Sequence, residues 1–267
     1  MTPWLLLLIS VTAGTPYGSD ATAVDPYLKE LRAREPAYVG RVAQVARDGL
    51  GTPYHDGPLG EGPGAPYDAD PLVDLTRVDC VTYVEQCLAL AAGLNYTDSV
   101  AKLQEIRYAG GVVDFETRNH FMVADWAVKN AWCVDVTSTL GVPVETVSRR
   151  ISKRDFFKRV KAPTLGASVS DRDVTIQVIP SHRAKEAVAR ITKPSVIVFV
   201  GNIDWLFALH CGIFLPEEGG AGRLYHASSK SEAVVAVDLA DYVAAQSKRY
   251  LGFTVYEITT PPFAESE

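Results

Sequence analysis

Five short apolar runs occupy the last third of the chain: PSVIVFV at 194–200, LFALHCGIFL at 206–215, RLYHAS at 223–228, AVVAVDL at 233–239 and GFTVYEI at 252–258. They are rich in β-branched and aromatic residues and are bounded by Gly, Asn, Pro and Ser, the signature of strands joined by turns. The first half reads differently. Between Pro26 and Leu50, Tyr27, Leu28, Leu31, Tyr38, Val39, Val42 and Val45 recur with helical period until Gly49 and Gly51 stop it. Further helical patterns follow Asp79, run from about His120 to Ala131, and cover a basic stretch from about Val144 to Val160. Helices first and strands last predict an α+β fold in which N-terminal helices pack on a mostly antiparallel sheet. No repeat or linker divides residues 24–267, and that length buries a sizeable core, so a single domain is expected there.

Residues 52–76 hold five prolines among glycine-rich turns, a composition that sustains neither a helix nor a central strand. A long ordered loop is expected, of the kind that is often functional. It delivers Asp79, a good N-cap, and then Cys80 at the start of a helix with Val81, Val84, Leu88 and Ala91 on one stripe and Gly93 as terminator. A thiol at that address faces unsatisfied N–H groups and the positive end of the helix dipole, which lower its pKa and make it a nucleophile. Cys87 lies two turns on along the same face and reads as a small core residue, as do Cys133 and Cys211 in their apolar strand-like runs. Four cysteines without a C-x-x-C pair support neither a disulfide scaffold nor a zinc or dithiol site.

A thiol nucleophile needs a base and a group that orients the base. Of the five histidines, His210 interrupts a strand that could have been wholly apolar, where a polar ring is costly unless its nitrogens are paired. His226 lies on the next strand, and antiparallel pairing can bring two such rings together on one face. Either histidine alone reads as a satisfied core residue, whereas the ordered set Cys80, His210 and His226 reads as catalytic. His55 and His182 are expected at the surface, and Gly110-Gly111 as a turn. No histidine has the spacing of a metal site, so no metal and no cofactor are expected.

The run Trp4 to Ala13, WLLLLISVTA, is too short to span a hydrocarbon layer of about 30 Å, so no stable membrane anchor is expected. Its length suits the core of a secretory signal, with small residues at Ala21-Thr22-Ala23 for cleavage. On that reading residues 1–23 are a signal peptide and the protein is exported, periplasmic or extracellular; a buried first strand or helix is the alternative. With 26 Lys and Arg against 32 Asp and Glu the net charge is −6, which gives nucleic acid no cationic footprint to select. Residues 149–161 gather seven basic residues against one acidic and read as a solvated helix face with Ile151, Phe156 and Val160 inward. A dock for an anionic wall polymer or membrane surface is the other reading.

Five segments in order resemble one family: Gly51-Thr-Pro-Tyr54, Asp79-Cys80-Val-Thr-Tyr-Val-Glu85, Thr117-Arg118-Asn-His120-Phe121 with Asp125-Trp126, His210-Cys-Gly212-Ile213, and His226-Ala-Ser228. It is the bacterial N-acetylmuramoyl-L-alanine amidase-like family of the NlpC-type, papain-like cysteine hydrolases, and the likeness covers roughly residues 38–258. The resemblance implies a papain-like fold, with Cys80 as nucleophile, His210 as general base and His226 as the residue that orients it. It implies peptidoglycan fragments, or muropeptides, as substrates, cut between N-acetylmuramic acid and L-alanine. By the same likeness the Tyr54 hydroxyl lies beside the nucleophile and assists an oxyanion, and Arg118 and His120 fall near the substrate cleft. The chain departs from the family in carrying Pro194-Ser195 for a usual Gly-Asp pair, and Cys211 where a β-branched residue usually follows the base. A peptidase of the same superfamily cutting γ-D-glutamyl bonds, and a non-catalytic wall-binding module, are the rival readings.

Overall fold

A computed structural model describes residues 14–19, 21–217, 219 and 222–264; the apolar run Trp4–Ala13 lies outside them. Four helices come first: α1 (Ala21–Arg34), α2 (Tyr38–Asp48), α3 (Cys80–Ala92) and α4 (Tyr96–Arg107). The middle of the chain holds α5 (Ala127–Lys129), β1 (Cys133–Asp135), β2 (Glu145–Ile151), α6 (Lys153–Arg159), β3 (Arg172–Pro180) and α7 (Ala184–Val188). The strand-rich end follows with β4 (Ser195–Ile203), β5 (Leu206–Pro216), β6 (Gly222–Ser228), β7 (Ala233–Asp238), α8 (Leu239–Ala245) and β8 (Tyr250–Ile258). The strands form one sheet in the order β2-β3-β8-β4-β5-β6-β7, with β1 also on β8, and every pairing is antiparallel. The α+β architecture and the five C-terminal strands match expectation to within a few residues.

The sheet is covered on both faces, which explains why its central strands are apolar without alternation. On β4, Val196, Val198 and Val200 belong to the core that the α3 layer covers, while Ile197 and Phe199 belong to the core on the side of α7 and α8. Helix α3 is the centre of the first layer. Every residue from Thr82 to Ala92 is buried, so the helix is enclosed all round and not only along the expected stripe. Its last carbonyls are taken by two arginines: Arg41 Nε donates to Ala91 O at 2.7 Å and Arg32 Nε to Gly93 O at 3.1 Å. Positive charge at that end complements the dipole whose positive end lies at Cys80. Tyr17, ahead of α1, is buried with its hydroxyl 3.3 Å from the Cys87 sulfur, and Ala21-Thr22-Ala23 form the first turn of α1.

Three expectations need correction. The basic segment 144–160 is not one helix: it is strand β2 followed, after the cap Ser152, by the short helix α6. Arg149 is buried there, its guanidinium donating to the carbonyls of Leu206 and Gly201 and stacked 4.8 Å from the Phe207 ring centre. In α6 Phe157 is the wholly buried residue and Val160 is exposed. The helix expected from about His120 to Ala131 is a single π-helical turn, Met122–Trp126, running into α5. Helices α4 and α7 and strand β3 lie outside every segment that the sequence pattern marks. Residues 52–76 do form the long loop, His55 and His182 are exposed, and Gly110 and Gly111 turn the chain at φ of 66° and 69°.

Candidate active site

The loop before α3 is stitched at its base. Tyr54 N–H donates to Glu232 O and His55 N–H to Val78 O, each at 2.9 Å, so the chain enters Asp79 in a fixed direction. Asp79 and Thr82 form a reciprocal cap: Thr82 N–H donates to Asp79 Oδ1 at 2.7 Å, and Asp79 N–H to Thr82 Oγ1 at 2.8 Å. The cap takes Thr82 N–H, and Tyr83 N–H bonds Asp79 O, which leaves the N–H groups of Cys80 and Val81 free of the cap at the helix start. Two such donors beside a half-buried thiol are what an oxyanion would use.

Strand β5 brings His210 to that helix end. Its register with β4 pairs Phe199 with His210 but Val200 with Ala208, so Leu209 is an extra residue on β5. A bulge of this kind re-aims the next side chain and increases the local twist. His210 stacks on Phe199 with ring centres 5.8 Å apart. Its Nε2 lies 2.8 Å from Nδ1 of His226 on β6, which leaves Nδ1 of His210 for the Cys80 thiol. Directly opposed residues do not make this contact. Ile213 pairs with Tyr225, so continuing the register sets Gly212 against His226, and His226 leans across the missing side chain to reach His210 two residues on. A Cβ on Gly212 would stand 2.9 Å from His226 Cβ and 2.7 Å from Tyr225 O.

The electrostatics follow from these neighbours. The Cys80 thiol is held well below the usual thiol range, first by the adjoining Cys211 side chain and then by the His210 ring, and these outweigh desolvation. Burial, and secondarily the charge of His210, drive the His226 ring down to about 3, so the ring is neutral, and in the tautomer protonated on Nε2 its Nδ1 accepts from His210. That Nε2 has no hydrogen-bond partner among the described residues. Tyr242 packs on the His226 ring at 4.9 Å between centres. Cys87, seven residues along the same helix, goes the other way: burial pushes its thiol up to about 12.

Two cavities meet at Cys80 and His210. One, of about 220 Å³, is apolar and is lined by Val81, His120, Met122, Phe156, Trp205 and Leu206. The other, of about 540 Å³, is polar and is lined by Tyr54, His226, Ser228, Lys230, Tyr242 and Arg249. Tyr54 thus reaches the site; burial and then Asp56 push its hydroxyl up to about 12. His120 also reaches it. Burial lowers that ring to about 3, Nε2 lies 2.7 Å from Phe115 O, and Phe115, Phe156 and Phe157 surround it. Arg118 is not brought to either cavity. Its guanidinium binds Glu61 Oε1 at 2.8 Å through Nε and Asp68 Oδ2 at 2.8 Å through Nη2, clasping the long loop instead.

Cys211, Trp205, Phe199 and Tyr242 belong to the site and were not marked as site residues from the sequence. Trp205, in the β4–β5 turn under the Arg159 guanidinium at 4.8 Å, offered no periodic signal. Among the described residues no group of three or more His, Cys, Asp or Glu is arranged to hold a metal ion, and no helix is long and apolar enough to cross a membrane.

No curated protein sequence matches the chain. Solved structures do. A Legionella pneumophila protein superposes with a TM-score of 0.80 at 22% identity, over 90% of this chain and 95% of that one. An N-acetylmuramoyl-L-alanine amidase from Bacteroides uniformis superposes with a TM-score of 0.67 at 23% identity, over 84% of this chain and 99% of its own. At these identities the likeness carries the fold. The family profile goes further, matching residues 44–252, which span the loop, the capped helix and both histidine strands, and on that match the chain belongs to the AmiA-like, N-acetylmuramoyl-L-alanine amidase-like family.

Proposed function

We propose that the protein is an exported cysteine amidase of the NlpC-type, papain-like superfamily that hydrolyses the amide between N-acetylmuramic acid and L-alanine in peptidoglycan fragments. The observation that carries this reading is the alignment of a depressed thiol at a capped helix start with His210 and, through a 2.8 Å bond, His226. The family match supports the substrate class. The Cys80 thiolate attacks the lactyl carbonyl, forming the C–S bond, and the oxyanion is received by the N–H groups at the start of α3 with the Tyr54 hydroxyl beside them. His210 gives its proton to the leaving nitrogen as the C–N bond breaks, releasing the L-alanyl peptide and leaving a thioester. Water, deprotonated by His210, then attacks the thioester to yield the muramic carboxylic acid and the free thiol. His226 holds the His210 ring throughout, and residues 24–267 act as one catalytic domain.

Incubation with N-acetylmuramoyl-L-Ala-D-isoGln and, separately, with a glycan-free stem peptide tests the proposal, with products identified by mass. Release of L-Ala-D-isoGln is expected, and Cys80→Ala abolishes it while the protein stays folded, because Ala is well tolerated in a first helical turn. Cleavage of the stem peptide alone would transfer the site to γ-D-glutamyl bonds. Activity of the Cys80→Ala protein above a tenth of wild type would remove the thiol from the mechanism.

A further inference from the structure

Consecutive residues of β5 straddle the thiol of Cys80. His210 pairs with Phe199 and belongs to the sheet face packed on α8; Cys211 pairs with Val198 and belongs to the face covered by α3. From that second face the Cys211 thiol donates to the backbone carbonyl of Cys80 at 3.2 Å and lies against the Cys80 sulfur. It is buried, at 1% exposure, at the floor of the apolar cavity. The strand that carries the base is therefore tied, one residue further on, to the backbone of the residue it serves.

We infer that Cys211 is a positioning residue for the nucleophile: its thiol bridges β5 to the first residue of α3 by donating to the Cys80 carbonyl, and so sets the spacing between Cys80 and His210. The inference rests on the reading of Cys80 as nucleophile. A residue of the same size without a donor fills the space but does not make that bond, whereas serine keeps a donor in nearly the same place. The other ionisable groups that bear on the Cys80 sulfur are His210 on β5, Asp79 in the cap, Tyr54 from the loop, and Tyr242 and Tyr250 across the polar cavity; Asp79 and Glu85 bear on Cys211. All are unchanged in the variants below.

The test is the pH profile of iodoacetamide alkylation of Cys80, followed by peptide mass, in wild type, Cys211→Val and Cys211→Ser, alongside kcat and KM on the muramoyl dipeptide. Below its pKa the reactive fraction of a thiol falls tenfold for each unit by which the midpoint rises, so Cys211→Val should have its midpoint moved up and react about tenfold more slowly on the acid limb below both midpoints. Cys211→Ser should stay within about threefold of wild type, and the loss in Cys211→Val should fall on kcat, leaving KM in place. A Cys211→Val protein with the wild-type profile would reduce Cys211 to packing, as would equal losses in both variants. Should Cys211→Val not fold, Cys211→Ala, which removes the donor without adding bulk, is read in its place by the same comparison with serine. Wild-type Cys80 reacting no faster than free cysteine at pH 6 would overturn the reading of the nucleophile itself, which is a separate result.

Discussion

Gly212→Ala should damage catalysis far more than stability. The added Cβ would stand 2.7 Å from Tyr225 O and 2.9 Å from His226 Cβ, against an ordinary contact of at least 3.4 Å, so β6 must retreat by about 0.5–0.7 Å. Added to the 2.8 Å between the two rings, a retreat of that size opens the His210–His226 bond to about 3.5 Å, beyond a useful hydrogen bond. Overpacking of this kind costs about 1–3 kcal/mol, which in a chain of this size lowers Tm by roughly 2–12 °C. Displacement of a group that orients a base by a fraction of an ångström to 1 Å reduces kcat by about 10²-fold. The control lies at the far end of the same strand pair. Gly222→Ala drives a Cβ to 2.1 Å from the Phe214 ring and 2.9 Å from Leu215 O, a comparable clash away from the histidines. Thermal melting by circular dichroism should show similar losses for the two variants, and amide hydrolysis should fall only in Gly212→Ala. If both retain kcat within about twofold of wild type, the close approach of β6 does not matter to the chemistry and the orienting role of His226 is wrong.

Other outcomes follow from the same geometry. His226→Gln should keep more activity than His226→Ala, and both more than His210→Ala, because an orienting group is partly replaceable and a proton carrier is not; measured kcat in that order is the check, and His226→Ala as the worst of the three would exchange the roles of the two rings. Stability should fall as pH drops from the ordinary histidine value of 6.5 toward 3. In that window the unfolded chain binds protons that buried His226 and His120 refuse, and His226→Gln should flatten the slope of Tm against pH by one proton. Arg118→Ala should cost on the order of 2–3 kcal/mol by stranding Glu61 and Asp68, below the limit for a fully buried pair because Arg118 keeps some exposure, with KM unchanged. A tenfold rise in KM at unchanged Tm would instead put Arg118 in the cleft.

What the sequence made legible was whatever a local pattern reports. The five C-terminal strands are covered on both faces, so their apolar runs stand out, and the cap at Asp79 sits where Pro and Gly give way to helical spacing. Strand β2 imitates a helix for a tertiary reason. Its residues Glu145–Ile151 are mostly exposed at the sheet edge, and beside Ile151 at its end the buried residue is Arg149, whose charge is satisfied by carbonyls 52 and 57 residues away. A row of basic residues there imitates a solvated helix face. Helix α4 lacks a strong apolar stripe, yet Asn95 caps Asp98 N–H at 2.9 Å, and that Asn-x-x-Asp pattern is a start signal that could have marked it.

The candidate site divides along the same line. Cys80, His210 and His226 are each anomalous where they stand: a thiol at a helix cap, and two imidazoles on apolar strands. Gly212 and Cys211 look ordinary in sequence, a glycine and a small apolar residue in a strand, because their effect depends on what β6 and α3 bring against them. Cys80 and Cys87 make the point within one helix. The thiols are alike and lie seven residues apart; burial pushes one up against the Tyr17 and Tyr83 hydroxyls, while the Cys211 side chain and the His210 ring on β5 draw the other down. A helix N-terminus can supply only part of that difference, since a dipole acting within the first turn is worth about 0.3–1 kcal/mol and one pKa unit corresponds to about 1.4 kcal/mol. The rest has to come from the strand. That is why the bulge at Leu209 and the bond from Cys211 bear on reactivity more directly than the helix position that first singled Cys80 out.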